Sequence, residues 1–258
     1  MNRIEKLFTD RKENILSIYF TAGHPTLDST TTIIEILANE GVDMVEIGIP
    51  FSDPVADGPA IQHSSHQALV NGMNLRLLFN QLRDIRKRIS IPLLLMGYLN
   101  PVLQYGMDNF VKDCSRIGID GTILPDLPLE IFLDEYKTVY NRYGLYNVFL
   151  ATPQTSDSRY RLLDQESSGF LYMVSASATT GAKKGFEDYQ QKYFERIRDL
   201  NLKLPRLIGF GISSNKTFVH ACKYANGTII GSAFVKLLEE EGEMRTNIRQ
   251  FIRSIRGN

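Results

Sequence analysis

The sequence has very little cysteine and no long apolar run. Its 258 residues include only Cys114 and Cys222, too few for a disulfide framework and too widely spaced for a typical zinc site. Both fall in segments with helical patterning, so we expect buried free thiols. No apolar stretch approaches the ~20 residues of a membrane-spanning helix, and the charged first residues contain no signal core. The sequence therefore predicts a soluble, cytoplasmic protein.

An excess of charge of either sign is also lacking. Lysine and arginine together number 29, and aspartate and glutamate together number 29, so the formal net charge is zero. This balance argues against a nucleic-acid binder with a strongly basic surface and against a polybasic membrane anchor. Apolar residues make up 43% of the chain, which is too many for a disordered protein.

What the chain does contain is a regular alternation of short β-rich runs and amphipathic helical runs. The predicted strands are residues 15–21, 44–49, 93–98, 121–124, 146–150, 170–174, 206–209 and 228–230. The predicted helices are residues 30–39, 75–89, 109–117, 129–140, 158–165, 189–200, 215–225, 235–240 and 244–255. Most strands are continuously apolar, as strands buried on both faces are.

Eight strand–helix units in this length give ~32 residues per unit, which is typical of a (β/α)8 barrel. We therefore expect an α/β protein with a TIM barrel formed by residues 1–258 as a single domain, with an extra N-terminal helix. A doubly wound sheet is the alternative, although it rarely needs eight strands. Long stretches follow the second and sixth strands, at the end of the barrel where such enzymes keep their active sites, and both are candidates for lids.

Glu46 is the first candidate for catalysis. It lies inside an apolar strand, on the same face as Met44 and Gly48. Burial of a carboxylate is costly and raises its pKa, which suits a general acid or base. The alternative is a structural ion pair inside the barrel.

Two aspartates, Asp53 and Asp57, follow the same strand in a loop bounded by proline and glycine. Asp-Pro and Asp-Gly are also ordinary turn formers, so each aspartate alone has a plain structural interpretation. Together with Glu46, they make a site with paired carboxyl groups plausible.

Glycines follow the last three strands, in the segments Thr179–Gly181, 209–213 and 231–233. Glycine lets backbone N–H groups approach a ligand, and Ser232 can begin a helix whose N-terminus attracts anions. Because many barrels bind phosphate at the loops after strands seven and eight, this pattern indicates a phosphate site. Tight turns without a ligand are the alternative.

Other residue types indicate less. Tyr172 either points its hydroxyl into the site or fills the barrel. Its strand contains no lysine, so a Schiff-base aldolase is unsupported. His63 and His66 have helical spacing but no third ligand nearby, so we predict no metal site.

Several of these segments together resemble the tryptophan synthase alpha chain family. The longest match is VEIGIPFSDPVADGPAIQ at residues 45–62. Shorter ones are YFTAG at 19–23, MGYLNP at 96–101, PDLP at 125–128, GFGIS at 209–213 and GSA at 231–233. The matches occur in order over essentially the whole chain.

The resemblance implies an activity and a partner. The family consists of (β/α)8 barrels that cleave indole-3-glycerol phosphate to indole and glyceraldehyde 3-phosphate, without a metal or cofactor. Indole then passes to a beta chain, which holds pyridoxal phosphate, within an α2β2 heterotetramer. The absence of tryptophan from the chain fits an enzyme that makes this amino acid.

The resemblance also implies roles for individual residues. Glu46 is the general acid/base, Asp57 accepts the indole N–H, and Tyr172 is a further site residue. The phosphate site comprises Gly181, Gly211, Gly231 and Ser232. The indole pocket comprises Tyr19, Ile61, Met96, Ile123 and Phe210. The surface for the beta chain comprises Asp53, Pro54, Asn100, Asp126 and Pro128. Residues 176–189 form a lid from which Thr180 reaches toward the Asp57 loop.

The sequence departs from the family at Ala176, where many relatives carry arginine. This departure concerns the lid and its communication with the partner, and it leaves the catalytic residues untouched. Three other functions stay open: a barrel enzyme acting on another phosphorylated molecule, a lyase that releases free indole without a partner, and a non-catalytic activator of a partner chain.

Overall fold

A ring of short parallel strands forms the centre of the molecule. A computed structural model describes residues 1–175, 188–209 and 211–257. Within these residues the strands are β1 (Ile15–Thr21), β2 (Met44–Gly48), β3 (Leu93–Met96), β4 (Gly121–Ile123), β5 (Tyr146–Val148), β6 (Leu150–Ala151), β7 (Leu171–Val174), β8 (Arg206–Gly209) and β9 (Gly227–Ile230). All pairings are parallel, in the order β5-β4-β3-β2-β1-β9-β8-β7-β6.

The two strands at the ends of this order are pieces of one strand. Phe149 alone separates β5 from β6. β5 pairs with β4, β6 pairs with β7, and the Phe149 carbonyl accepts a hydrogen bond from the Tyr172 amide at 3.1 Å. The ring therefore closes through Phe149, and the short strands fill the eight strand positions of a (β/α)8 barrel. The predicted barrel is confirmed, but a continuous strand over 146–150 was wrong, because Phe149 interrupts the strand.

Helices surround the ring. In the described part of the chain they are α1 (Arg3–Asp10), α2 (Ser29–Asn39), α3 (Pro59–Val70), α4 (Leu75–Gln81), α5 (Leu99–Tyr105), α6 (Met107–Ile117), α7 (Leu129–Ile131), α8 (Lys137–Tyr143), α9 (Asp157–Glu166), α10 (Asp188–Asp199), α11 (Asn215–Ala221), α12 (Ser232–Leu237) and α13 (Met244–Arg256). A 3₁₀ turn, Ile85–Lys87, follows α4, and a π-helical turn, Phe132–Tyr136, joins α7 to α8. None of the helices in these ranges is both long enough and apolar enough to cross a membrane.

The strands separate two apolar clusters. Ile18 and Phe20 of β1 pack in the larger cluster, between the sheet and the helices, whereas Ile15 and Tyr19 pack in the smaller one. Alternate residues of a strand point to opposite faces, so the smaller cluster is the interior of the barrel. Glu46 follows Met44 of that interior cluster at the same period of two and therefore faces inward.

The N-terminal helix closes one end of the barrel. Asn2 caps α1, and Ile4 and Phe8 belong to the interior cluster. The Phe8 ring lies 5.9 Å from that of Phe170, just before β7, and Arg3 pairs with Asp120, just before β4, at 2.9 Å. These partners precede their strands, so α1 plugs the amino end of the barrel. The predicted extra helix is confirmed, and the opposite end is left for a site.

Candidate active site

Glu46 is a fully buried carboxyl group inside the barrel. Its Oε1 accepts a hydrogen bond from the Ser17 hydroxyl at 2.8 Å, whereas Oε2 has no hydrogen-bond partner among the described residues. Burial raises the pKa of Glu46 to about 8, and the hydrogen bond from Ser17 acts in the opposite direction. No lysine or arginine in the described ranges forms an ion pair with Glu46. The side chain can therefore exchange a proton near neutral pH, as a general acid/base must.

Two tyrosines lie close to this carboxyl group. Tyr19 is the register partner of Glu46 on β1. The pKa of Tyr172 is raised mainly by burial and next by the negative charge of Glu46. The pKa of Tyr19 is raised mainly by burial and next by the negative charge of Asp57. The phenols stay neutral at physiological pH, and their dependence on both carboxylates places all four groups in one electrostatic environment.

Glycines on the neighbouring strands make room for these rings. A β-carbon at Gly48 would collide with the Tyr19 hydroxyl, and one at Gly209 would collide with the Tyr172 hydroxyl. Any larger residue at either position would displace a tyrosine. The absence of side chains at these two strand ends therefore defines the shape of the interior beside Glu46.

Asp57 lies between β2 and α3 and is half-buried. The Tyr98 hydroxyl donates to Asp57 Oδ2 at 3.2 Å and accepts a hydrogen bond from the Ala56 amide at 3.0 Å. Burial raises the pKa of Asp57 to about 6, and the hydrogen bond from Tyr98 acts against this increase. At neutral pH Asp57 is mainly ionised and Glu46 mainly protonated, so one site holds both an acid and a base.

Glycines of the predicted phosphate site lie at the ends of two adjacent strands. Gly211 follows β8 with a φ of +74°, a left-handed conformation that favours glycine. Gly231 follows β9, and Ser232 is the first residue of α12. Because β8 and β9 are paired, these residues follow adjacent strands at the carboxyl end of the barrel. Their binding of phosphate stays a prediction.

Only some residues of the predicted indole pocket lie together in the barrel interior. Tyr19, Met96 and Ile123 pack in or against the interior cluster that contains Tyr172. Ile61 is buried on α3 but belongs to neither apolar cluster. The first three side chains thus provide an apolar wall near Glu46.

The predicted surface for a partner lies on the segments that follow β2, β3 and β4. Asp53, Asn100, Asp126 and Pro128 are exposed and Pro54 is half-exposed. The Asp126 carboxylate accepts hydrogen bonds from the Leu99 amide at 2.9 and 3.1 Å, which joins two of these segments. The five residues thus lie at the same end of the barrel as Asp57.

Some predictions concern residues outside the described ranges. These are Ala176, Thr180, Gly181 and Phe210. In the ranges that are described, no three histidine, cysteine or acidic side chains are grouped so as to hold a metal ion.

Sequence reasoning missed two polar contacts of the carboxyl groups. Ser17 and Tyr98 were placed in predicted strands without a role, yet they hold Glu46 and Asp57. Ser17 could have been found from the sequence, because it is a polar residue on an apolar strand. It lies two positions before Tyr19, so the two side chains face the same, inward side. Tyr98 was assigned to the third strand, which in fact ends at Met96, and it precedes α5 instead.

Comparisons with known proteins agree with this architecture. The family model described as "Tryptophan synthase alpha chain" matches residues 6–256. A tryptophan synthase alpha chain from Flavobacterium johnsoniae is 57% identical over 257 residues, covering 99% of this chain and 100% of that protein.

Solved structures give the same result. The tryptophan synthase alpha chain of Legionella pneumophila is 33% identical with a TM-score of 0.88, covering 100% of this chain and 97% of that one. A chain of the aminoacrylate-bound tryptophan synthase of M. tuberculosis is 26% identical with a TM-score of 0.86, covering 99% and 98%. A family match over nearly the whole chain and a relative of this identity lead to one conclusion: the chain belongs to the tryptophan synthase alpha chain family.

Proposed function

We propose that this protein cleaves indole-3-glycerol phosphate to indole and glyceraldehyde 3-phosphate. The observation that carries the proposal is the Glu46 carboxyl group, which is buried inside the barrel with a pKa of about 8 and one oxygen without a partner in the described residues. Family membership supports the same reaction. The alternative, a barrel enzyme that acts on another phosphorylated molecule, is less well supported. Glu46 and Asp57, the two carboxyl groups of the family motif, are both present, and burial raises the pKa of each.

The chemistry requires two proton transfers at neighbouring atoms. Glu46 donates a proton to C3 of the indole ring, which leaves a positive charge shared with the ring nitrogen. The glycerol hydroxyl next to the breaking bond then loses its proton to Glu46. Its O–H electron pair forms the aldehyde C=O, and the electron pair of the C–C bond returns to the ring as indole leaves. Each such transfer is typically worth about 10²–10⁴-fold in rate.

Asp57 stabilises the charged ring in this scheme. Its carboxylate, oriented by Tyr98, accepts the indole N–H and is ionised at neutral pH when the positive charge develops. Tyr172, Tyr19, Met96, Ile123, Ile61 and Phe210 are proposed to surround the indole. Gly181, Gly211, Gly231 and Ser232 are proposed to bind its phosphate through backbone N–H groups, and Thr180 to close over Asp57.

We further propose a beta chain as partner, in an α2β2 complex. The exposed surface formed by Asp53, Pro54, Asn100, Asp126 and Pro128 would face it, close to the end of the barrel where indole forms. Pyridoxal phosphate would belong to that partner, and cleavage by this chain uses only its own side chains.

Indole release from indole-3-glycerol phosphate tests the proposal. The wild-type chain, Glu46→Gln and the exposed control Glu240→Gln should be compared with and without a beta chain. We expect slow release by the wild type alone, strong activation by the partner, an unaffected control and a Glu46→Gln variant that binds substrate but is inactive. Near-normal cleavage by Glu46→Gln would refute the acid/base assignment, and rapid release that ignores the partner would indicate a free-standing indole producer.

A further inference from the structure

We propose that Ser17 is a positioning residue that determines which oxygen of Glu46 exchanges the proton. The proposal rests on the function proposed above and adds a residue to it. Ser17 does not touch the substrate in this scheme, because it acts through Glu46.

The geometry makes the two oxygens of Glu46 unequal. Ser17 is fully buried on β1, two residues before Tyr19, so it faces the barrel interior. Its hydroxyl donates to Oε1 at 2.8 Å, whereas Oε2 is buried without a hydrogen-bond partner in the described ranges. An unpartnered carboxyl oxygen in a protein interior is costly, and its retention is explained if the substrate supplies the missing partner.

This asymmetry has a direct chemical consequence. In a carboxylic acid one oxygen carries the proton and the other accepts hydrogen bonds. Because Ser17 donates to Oε1, that oxygen is the acceptor and the proton resides on Oε2. The proton that moves to indole C3 therefore leaves from the oxygen that no described side chain occupies. Without Ser17 the carboxyl group could rotate and place its proton on either oxygen.

The other titratable groups around Glu46 do not replace Ser17. Tyr19 on β1 and Tyr172 on β7 are phenols that burial keeps neutral, and the hydrogen bond that lowers the pKa of Glu46 comes from Ser17. Asp57, after β2, is an anion that raises the pKa of both tyrosines and donates nothing at neutral pH. Leu94, the register partner of Glu46 on β3, carries no polar group. Ser17 is thus the donor that distinguishes Oε1 from Oε2 among the described residues.

The experiment measures first the titration of the Glu46 carboxyl group and then the activity of the enzyme. The carboxyl carbon of Glu46 is titrated by ¹³C NMR in substrate-free protein labelled on glutamate, with Glu46→Gln identifying the signal. In Ser17→Ala we expect about a tenfold decrease in the acid dissociation constant of Glu46, because a donor to the charged form is lost. We expect kcat to fall roughly 10–100-fold at neutral pH, with KM little changed and the basic limb of the pH profile moved to higher pH.

Two further variants separate positioning from stability. Ser17→Thr keeps the hydroxyl and should restore the wild-type titration. Thr122→Val removes a fully buried strand hydroxyl that contacts Tyr140 and Asn147, so it should lower stability and leave the Glu46 titration unchanged.

The outcomes distinguish this proposal from the one on which it rests. An unchanged Glu46 titration in Ser17→Ala, or a lower kcat with an unmoved pH profile, would overturn the positioning role even if Glu46→Gln is inactive. An active Glu46→Gln enzyme would instead refute the acid/base function, whereas the NMR titration would still report on the Ser17–Glu46 pair.

Discussion

Glu46 and Asp57 have carboxyl groups of similar intrinsic acidity, and their surroundings separate them. Full burial raises the pKa of Glu46 to about 8, and partial burial raises that of Asp57 to about 6. Ser17 and Tyr98 each donate one hydrogen bond that moderates the increase. At the scale of single residues, the division between acid and base therefore depends on depth of burial more than on the identity of the side chain.

The buried Glu46 should make the protein less stable as pH rises. Its pKa is about 4.5 when exposed and about 8 in the fold, so the folded state holds a proton that the unfolded state has lost between these values. The stability due to this proton is present at low pH and is lost as pH rises through that range. The glutamine of Glu46→Gln does not titrate. The free energy of unfolding of this variant, relative to that of the wild type, should therefore increase from about pH 4.5 to about pH 8, by at most about 5 kcal/mol.

Urea denaturation of both proteins at several pH values measures this difference. Parallel curves of stability against pH for wild type and variant would contradict the raised pKa of Glu46.

Tyr98→Phe should impair Asp57 without unfolding the protein. The change removes the donor to Asp57 Oδ2 and the acceptor for the Ala56 amide, so Asp57 becomes less acidic and less well oriented. A hydrogen bond to a charged group is worth about 1.5–3 kcal/mol, and we expect kcat/KM to fall by roughly 10–100-fold. The pH profile of kcat/KM checks this, with its acidic limb moving to higher pH. Tyr105→Phe, which removes a hydroxyl bound to Asp113 on α6, is the control.

At the scale of helices and strands, local pattern was informative where large apolar residues mark the buried face. β1 and β8 have the predicted bounds for this reason. α3 was missed, because its buried face is Ile61, Ser64, Ser65 and Ala68. These residues have helical spacing, but serine and alanine do not stand out as a hydrophobic stripe.

The helical segment after β4 shows a related limit. Its residues were predicted as one helix, yet a π-helical turn lies between α7 and α8. The contacts Ser17–Glu46 and Tyr98–Asp57 join positions 29 and 41 residues apart. Such contacts depend on strand register and loop path. The strand pattern and the family resemblance therefore indicated the carboxyl groups, and only the structure indicated their partners.

α1 should contribute to stability and not to chemistry. Ile4 is fully buried in the interior cluster at the amino end of the barrel. Ile4→Ala should lower the free energy of unfolding by about 2–5 kcal/mol, because it leaves a cavity there. The rate per folded molecule should stay the same, since the proposed substrate site opens at the other end of the barrel.

Urea denaturation and indole release together check this expectation. Lys6→Ala on the same helix removes an exposed ion pair with Asp10 and should change stability by less than about 1 kcal/mol. A strong loss of rate in folded Ile4→Ala would show that the plug and the site are coupled.

At the scale of the whole molecule, the ion pairs of Asp120 and Asp43 and the candidate site occupy opposite ends of the barrel. Asp120 pairs with Arg3 and Arg86, and Asp43 pairs with Arg11 and Arg256, all at the amino end. Through Asp43, the C-terminal helix is linked to the segment that contains Arg11, before β1. This link agrees with a single domain over residues 1–258, and the extent of that domain stays a prediction. A partner can bind the carboxyl end without disturbing these contacts.

Asn100→Ala should therefore weaken partner binding alone. Asn100 is exposed on α5, within the proposed surface for the beta chain. The beta-chain concentration for half-maximal activation should rise by about fivefold, as expected for roughly 1 kcal/mol of interface energy. Indole release without partner should not change. Arg253→Ala, at an exposed position on α13, is the control and should leave activation unchanged. If Asn100→Ala and the wild type give equal activation curves, Asn100 does not belong to the interface.

The plug at the amino end also has a consequence for synthesis of the chain. α1 emerges from the ribosome before the residues on which it packs, because Arg3 and its partner Asp120 lie 117 positions apart and Phe170 follows later still. At typical elongation rates of about 5–20 residues per second, the helix waits on the order of ten seconds for its binding surface to be made. During that interval Ile4 and Phe8 have no barrel interior to enter, so these two apolar side chains stay exposed on the nascent chain until β7 has been made.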